Sequence, residues 1–194
     1  MSFKSMKKQV VSAAGLVALL SAGQAMATNI DPGTGNYTFQ GSDIEVTKTI
    51  FGIPVTLSCN VELDGAVDVD GNGTVFIDVT DGRMLPGGDS NCSSVDLQFS
   101  AGNWYASEQS TTTAGIPETS LPSPRLGTVI TGQFNNVQVD TPLGYCSGSI
   151  VVSYSNGATV GAPSSFSFTG AALGTSGCTM DGVFEATTDV DVWQ

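Results

Sequence analysis

The sequence predicts an all-β protein, and three observations carry that expectation. Beyond the first 27 residues no stretch sustains the i, i+3, i+4, i+7 apolar spacing of a helix, whereas alternation with period two recurs throughout. Clusters of Gly, Asn, Asp and Pro punctuate the alternating runs. Four cysteines, Cys59, Cys92, Cys146 and Cys178, all lie in this β-rich part. Strands at this spacing predict a disulfide-stabilised β-sandwich, immunoglobulin-like or jelly-roll-like, built as one domain or as two similar halves.

The elements follow in order. β-branched or apolar runs fall at Ile44-Glu45-Val46, Val55 to Leu63, Thr74 to Thr80 and Ser149 to Tyr154. Val95, Leu97 and Phe99 alternate with polar residues, as do Val137 and Val139, Phe166 and Phe168, and Val190 and Val192. Turns are expected at Gly65, Asp70-Gly71-Asn72-Gly73, Pro86-Gly87-Gly88, Asn156-Gly157 and Gly174 to Gly177. From Ser107 to Arg125 the composition shifts to Ser, Thr and Pro, with Thr111, Thr112, Thr113, Pro117, Pro122 and Pro124, which reads as a connector. The segments flanking it are weakly alike in cysteine spacing and turn type, as a decayed duplication or two disulfide-closed meanders would be.

Residues 1–27 read as a secretory signal peptide. Lys4, Lys7 and Lys8 form a positive start, Val10 to Leu20 an apolar stretch, and Ala25-Met26-Ala27 a cleavage site. The apolar run is shorter than the roughly 18 residues a membrane span needs. Cleavage leaves a domain at 28–194, of 167 residues, enough to build a core of its own. Export to the periplasm, cell surface or medium is therefore expected.

An oxidising compartment lets disulfides persist, and the absence of His and of any C-x-x-C pair argues against zinc. Cys59–Cys92 and Cys146–Cys178 are the preferred pairs of three connectivities, because their separations of 33 and 32 residues are nearly equal. Removing the leader also removes three of six basic residues, so Lys48, Arg83 and Arg125 face 18 acidic residues at a net charge of −15. Such a surface repels phosphate backbones and anionic lipids, which excludes nucleic acid as a partner and opposes electrostatic membrane attachment.

A chain without His has no Ser-His or Cys-His nucleophile and no imidazole base. Carboxylate pairs could serve a glycosidase, but no pair stands out, so no catalytic residue is assigned. Asp68-Val69-Asp70-Gly71-Asn72-Gly73-Thr74-Val75 matches the opening of a calcium loop, with oxygen ligands on Asp68, Asp70 and Asn72 and Gly at the sharp turn. It then departs, because Val79 stands where the bidentate Glu belongs. A hairpin turn with water-facing aspartates is the other reading, and no further cofactor is expected. Trp104, Tyr105 and Trp193 are candidate carbohydrate- or hydrocarbon-contact aromatics, with core packing as the alternative.

Three segments carry a family likeness: Val55-Thr56-Leu57-Ser58-Cys59, Phe134-Asn135-Asn136-Val137-Gln138-Val139-Asp140-Thr141-Pro142-Leu143-Gly144-Tyr145-Cys146, and Ala172-Leu173-Gly174-Thr175-Ser176-Gly177-Cys178-Thr179-Met180-Asp181-Gly182. With the leader and the acidic, four-cysteine body, the chain resembles the PraB-type alkane oxidation activator proteins of Gram-negative bacteria. The resemblance implies an exported, non-enzymatic protein that assists growth on hydrocarbons, while a separate membrane enzyme performs the oxidation. Hydrophobic substrate is then the expected partner. The alternative is a subunit of a fimbria or biofilm matrix fibre, with other surface proteins or further copies as partners. For that role Asn36 to Ile50 offers a donor-like extension and Phe184 to Val192 an edge strand.

Overall fold

The computed structural model describes residues 29–31, 33–69, 75–99, 102–113, 128–157 and 162–193. The predicted signal peptide therefore lies outside the described residues. Eleven strands run in chain order: β1 (Asn29–Asp31), β2 (Gly35–Ile50), β3 (Ile53–Val69), β4 (Val75–Gly88), β5 (Asp96–Leu97), β6 (Trp104–Thr113), β7 (Thr128–Thr141), β8 (Gly144–Ser155), β9 (Ser165–Leu173), β10 (Cys178–Ala186) and β11 (Asp191–Trp193). One 3-10 turn, η1 (Ser90–Ser94), precedes β5.

The all-β expectation holds, but the sandwich does not. Strands β2, β3, β4, β6, β7, β8, β9 and β10 each pair antiparallel with their neighbours in sequence. β10 then returns to pair with β2, from Lys48↔Cys178 to Phe39↔Ala186, and closes an eight-stranded up-and-down barrel. Alternation is common to sandwiches and barrels, so it does not say which strands meet. Closure depends on sheet curvature, which β-bulges supply between Gly41 and Ile44, Phe134 and Val137, and Asp181 and Glu185.

Two expected turns, Gly65 and Pro86-Gly87-Gly88, lie inside strands of 17 and 14 residues, whereas Gly174 to Gly177 does form the β9–β10 turn. Gly65 of β3 sits opposite a bulge at Thr80 of β4, where an added Cβ would stand 2.6 Å from the Asp78 carbonyl oxygen. It marks a close approach of two strands, not a chain reversal. Of the Ser/Thr/Pro-rich connector, residues 107–113 continue β6 against β7, and 114–125 lie outside the described residues. Thr is a good strand former, so composition alone misplaced that boundary.

Inward side chains fill the barrel. Phe39, Phe134, Phe166 and Phe184 are fully buried, with the Phe166 ring 5.0 Å from Phe39 and 4.9 Å from Phe184. Outward positions carry Thr38, Gln40, Thr56, Asp78, Gln133 and Ser153. That is the reverse of a barrel that crosses a bilayer, whose outer face is apolar. No helix among the described residues is long and apolar enough to cross a membrane.

Both ends of the barrel are covered. At the end holding the β2–β3, β7–β8 and β9–β10 turns, here the upper end, the segment through η1 and β5 folds inward. The Cys59–Cys92 disulfide ties it to β3, and Val95, Leu97 and Phe99 pack on the core. At the lower end β1 pairs with β11, and the C-terminal segment enters the barrel mouth with Val190 and Val192 buried. The Asn156 carboxamide donates to the Val192 carbonyl (2.6 Å) and accepts its N–H (2.9 Å), while the Tyr154 hydroxyl donates to the Val190 carbonyl. The Ser164 hydroxyl reaches Asp189 (3.0 Å) and Asp191 (3.3 Å).

Burial, with the nearby Asp191 and Asp189 charges, pushes the Tyr154 phenol above its ordinary value of 10.0. Unfolding returns it to that value, so above about pH 10 the unfolded chain gives up this proton first and stability falls. Tyr154→Phe should abolish that alkaline slope and cost about 1–3 kcal/mol at neutral pH, because a buried carbonyl loses its donor. Urea unfolding at pH 7 and pH 10.5 measures both effects, and an unchanged alkaline slope in the variant would count against this account.

Candidate functional site

A hydrocarbon-contact role requires either an internal cavity or exposed apolar surface. Two voids open among the described core residues, one beneath β5 and one among Trp104, Phe134, Ile150 and Phe168, and they measure about 20 and 10 Å³. The larger is room for a single water, whereas even benzene needs a cavity of about 150 Å³. Neither void has room for an alkane, which turns attention to the outer surface.

Among the described residues the two most exposed large apolar side chains, Phe51 and Ile53, share one hairpin tip. At the upper end β4 stops at Gly88, level with Cys59, and β10 begins at Cys178, level with Lys48. The tip of the β2–β3 hairpin, Ile50-Phe51-Gly52-Ile53, therefore projects with no strand on either flank. Phe51 is 100% exposed and Ile53 65% exposed. Phe51 (φ 51°) and Gly52 (φ 81°) both take the left-handed conformation, which is what a two-residue hairpin turn of type I′ demands. Asn or Gly meets that demand without strain, whereas a bulky aromatic there costs about 1–3 kcal/mol. Folding gains nothing from Phe51: its ring is solvated and its backbone is strained.

The surroundings of the tip reinforce its apolar character. Tyr145, 47% exposed, follows the neighbouring β7–β8 turn, and Lys48 Nζ donates to its carbonyl (2.9 Å), which holds the turn against the hairpin stem. No Asp or Glu occurs between Glu45 and Glu62, although the chain carries 18 acidic residues. That gap was legible in the sequence. The tip itself was missed, because Phe51-Gly52 lacks the Asn-Gly or Asp-Gly signature of a hairpin turn and its exposure follows only from where the neighbouring strands end.

The residues singled out from sequence fall in other places. Trp104 is buried, its indole N–H donating to the Gln98 carbonyl (3.1 Å) and its ring packed on Phe99, so it is a core residue and not a contact aromatic. Tyr105, its neighbour, points outward and is exposed. The Trp193 side chain lies outside the described residues, as do Asp70 and Asn72 of the calcium-like loop. Asp68 closes β3 with its carboxylate accepting the Val69 N–H (2.7 Å). No group of three or more His, Cys, Asp or Glu among the described residues is placed to hold a metal ion. Cys59 pairs with Cys92 and Cys146 with Cys178, and both bridges are buried and consistent with an exported protein.

Comparison with known proteins decides the family. The model of the alkane oxidation protein activator PraA/PraB-like family matches residues 3–194. The chain belongs to that family. No curated protein matches it. The structure of DynF, from the dynemicin biosynthesis pathway of Micromonospora chersina, is similar over 79% of this chain and 79% of its own, at 11% identity and a TM-score of 0.41. For a PraA/PraB-like chain the family name gives the role, activation of alkane oxidation, and the geometry above bears on how that role is carried out.

Proposed function

We propose that this protein is an exported, non-catalytic accessory of alkane utilisation that works at the boundary between hydrocarbon and water. It adsorbs there by the upper end of the barrel, with the Phe51–Ile53 tip entering the oil. The observation that carries this reading is the full exposure of Phe51 in a backbone conformation that folding disfavours. The small volumes of the two described voids support it too, because neither has room for a hydrocarbon molecule. The acidic charge favours an uncharged oil phase over an anionic bilayer, since only the bilayer would repel it.

The fibre-subunit alternative finds no comparable support. Asn36 to Ile50, offered as a donor extension, is strand β2, paired on one side with β3 and on the other with β10. Of Phe184 to Val192, offered as an edge strand, Phe184 to Ala186 lie in β10, likewise paired on both sides, whereas Asp191 and Val192 lie in β11, paired with β1 alone among the described strands.

The test uses the disulfide-bonded protein without its leader. Pendant-drop tensiometry against hexadecane should show a concentration-dependent fall in interfacial tension, and vesicles of neutral or anionic lipid should bind far less protein than hexadecane droplets. A protein that leaves the hexadecane–water tension at its protein-free value would sink the proposal.

A further inference from the structure

A second surface, on the flank of the barrel, has a different chemistry. Phe76 on β4 and Tyr105 on β6 stand side by side on the outer wall, ring centroids 5.4 Å apart at 31°. Tyr105 is exposed and Phe76 half-buried, so the pair presents aromatic surface to solvent. Hydrogen-bonding groups frame it. The backbone register sets Asp78, Tyr105 and Asn135 in one row across β4, β6 and β7. The Asp78 carboxylate accepts from the Asn103 carboxamide (2.9 Å), and the Asn135 carboxamide oxygen accepts from the Ser149 hydroxyl (2.9 Å). These contacts fix the amides in place while the carboxamide hydrogens of Asn135 remain available for a further acceptor.

We infer that this face binds a neutral polysaccharide. A sugar ring has an apolar C–H face that stacks on an aromatic ring and a rim of hydroxyls that need donors and acceptors beside it. The row Asp78–Tyr105–Asn135 offers both at once, at the strand spacing of about 4.8 Å, close to the length of one pyranose ring. Hydrocarbon is the wrong partner for this face, because covering Asp78, Asn103 and Asn135 with alkane would strip their water without replacing it. The hairpin tip, with no such groups, differs in that respect. Charge selects among glycans: a chain at −15 without its leader repels uronate or sulfate polymers and accepts neutral ones. A protein with an apolar tip at one end and a glycan-binding flank could hold a polysaccharide-coated cell against an oil surface, and the flank stands on its own observations whether or not the tip does.

The test is co-sedimentation of the mature, disulfide-bonded protein with insoluble β-glucan and mannan, with alginate gel as the anionic control. Binding to at least one neutral polymer and none to alginate is expected. Tyr105→Ala should weaken that binding tenfold or more and Asn135→Ala severalfold, whereas Tyr105→Phe, which keeps the ring, should retain most of it. Circular dichroism establishes that each variant is folded, and hexadecane adsorption should be unchanged in all three. Absence of binding to both neutral polymers, preference for alginate, or a folded Tyr105→Ala variant that binds like the parent would each overturn the inference.

Discussion

Replacing Phe51 with Asn and Ile53 with Thr removes most adsorption to hexadecane and leaves the fold as stable as before or more so. Burying a Phe or Ile side chain in an apolar phase is worth about 1.5–3 kcal/mol, so losing both costs roughly 3–5 kcal/mol of transfer free energy. That is a hundredfold or greater fall in partition at fixed concentration. Stability moves the other way. Asn at position 51 tolerates the left-handed conformation that Phe51 adopts at φ 51°, so a gain of about 0.5–1 kcal/mol is expected, and the replaced side chains are too exposed to contribute to the core. Parallel tensiometry and urea unfolding separate the two effects. Parental adsorption in the double variant would remove the tip from the mechanism while leaving interfacial activity itself standing.

Replacing Cys146 and Cys178 together with Ala is the second large effect, and it acts on the barrel wall. β8 and β9 are paired only from Ser153↔Ser167 to Ser155↔Ser165. Above that the wall is held by the Cys146–Cys178 bridge, which reaches past β9 to β10, and by close apposition of Gly148 and Gly174. An added Cβ at Gly148 would lie 2.5 Å from the Gly174 nitrogen, so no other residue allows the approach. A bridge closing a loop of 32 residues limits the unfolded chain by about 3–4 kcal/mol, a large share of the 5–15 kcal/mol typical of a domain. The Cys59–Cys92 bridge closes a loop of nearly equal length, 33 residues, so the entropic loss is the same there. The difference should appear in hydrogen exchange. Without Cys146–Cys178 the amides of Ile150 to Val152 and of Phe168 should lose protection, whereas without Cys59–Cys92 they should keep it. Equal protection in both variants would mean that the bridge does not hold the seam.

How much of this was legible beforehand differs from element to element. The strand character of Val55 to Leu63 and of Phe166 to Phe168 could be read because alternation directly reports one buried and one solvated face. The disulfide pairs were preferred because their separations are nearly equal and each stays within one half of the chain, and the structure forms both, Cys59 of β3 with Cys92 of η1 and Cys146 of β8 with Cys178 of β10. Trp104 and Tyr105 show the limit. Adjacent strand residues point to opposite faces, so one of the two had to be buried, but which one depends on the register of β6 against β4 and β7.

Sequence by itself therefore determined the all-β class, the strongly acidic charge, the absence of imidazole chemistry and the family resemblance, all of which are properties of composition and local pattern. Tertiary structure alone decided that the sheet closes into a barrel, that four phenylalanines meet in its core, and that Phe51 stands clear of every neighbour. These are consequences of where strands end relative to one another. Closure needs the bulges of several strands to sum to a full turn, and exposure at a hairpin tip depends on the lengths of β4 and β10, which are set far along the chain from Phe51.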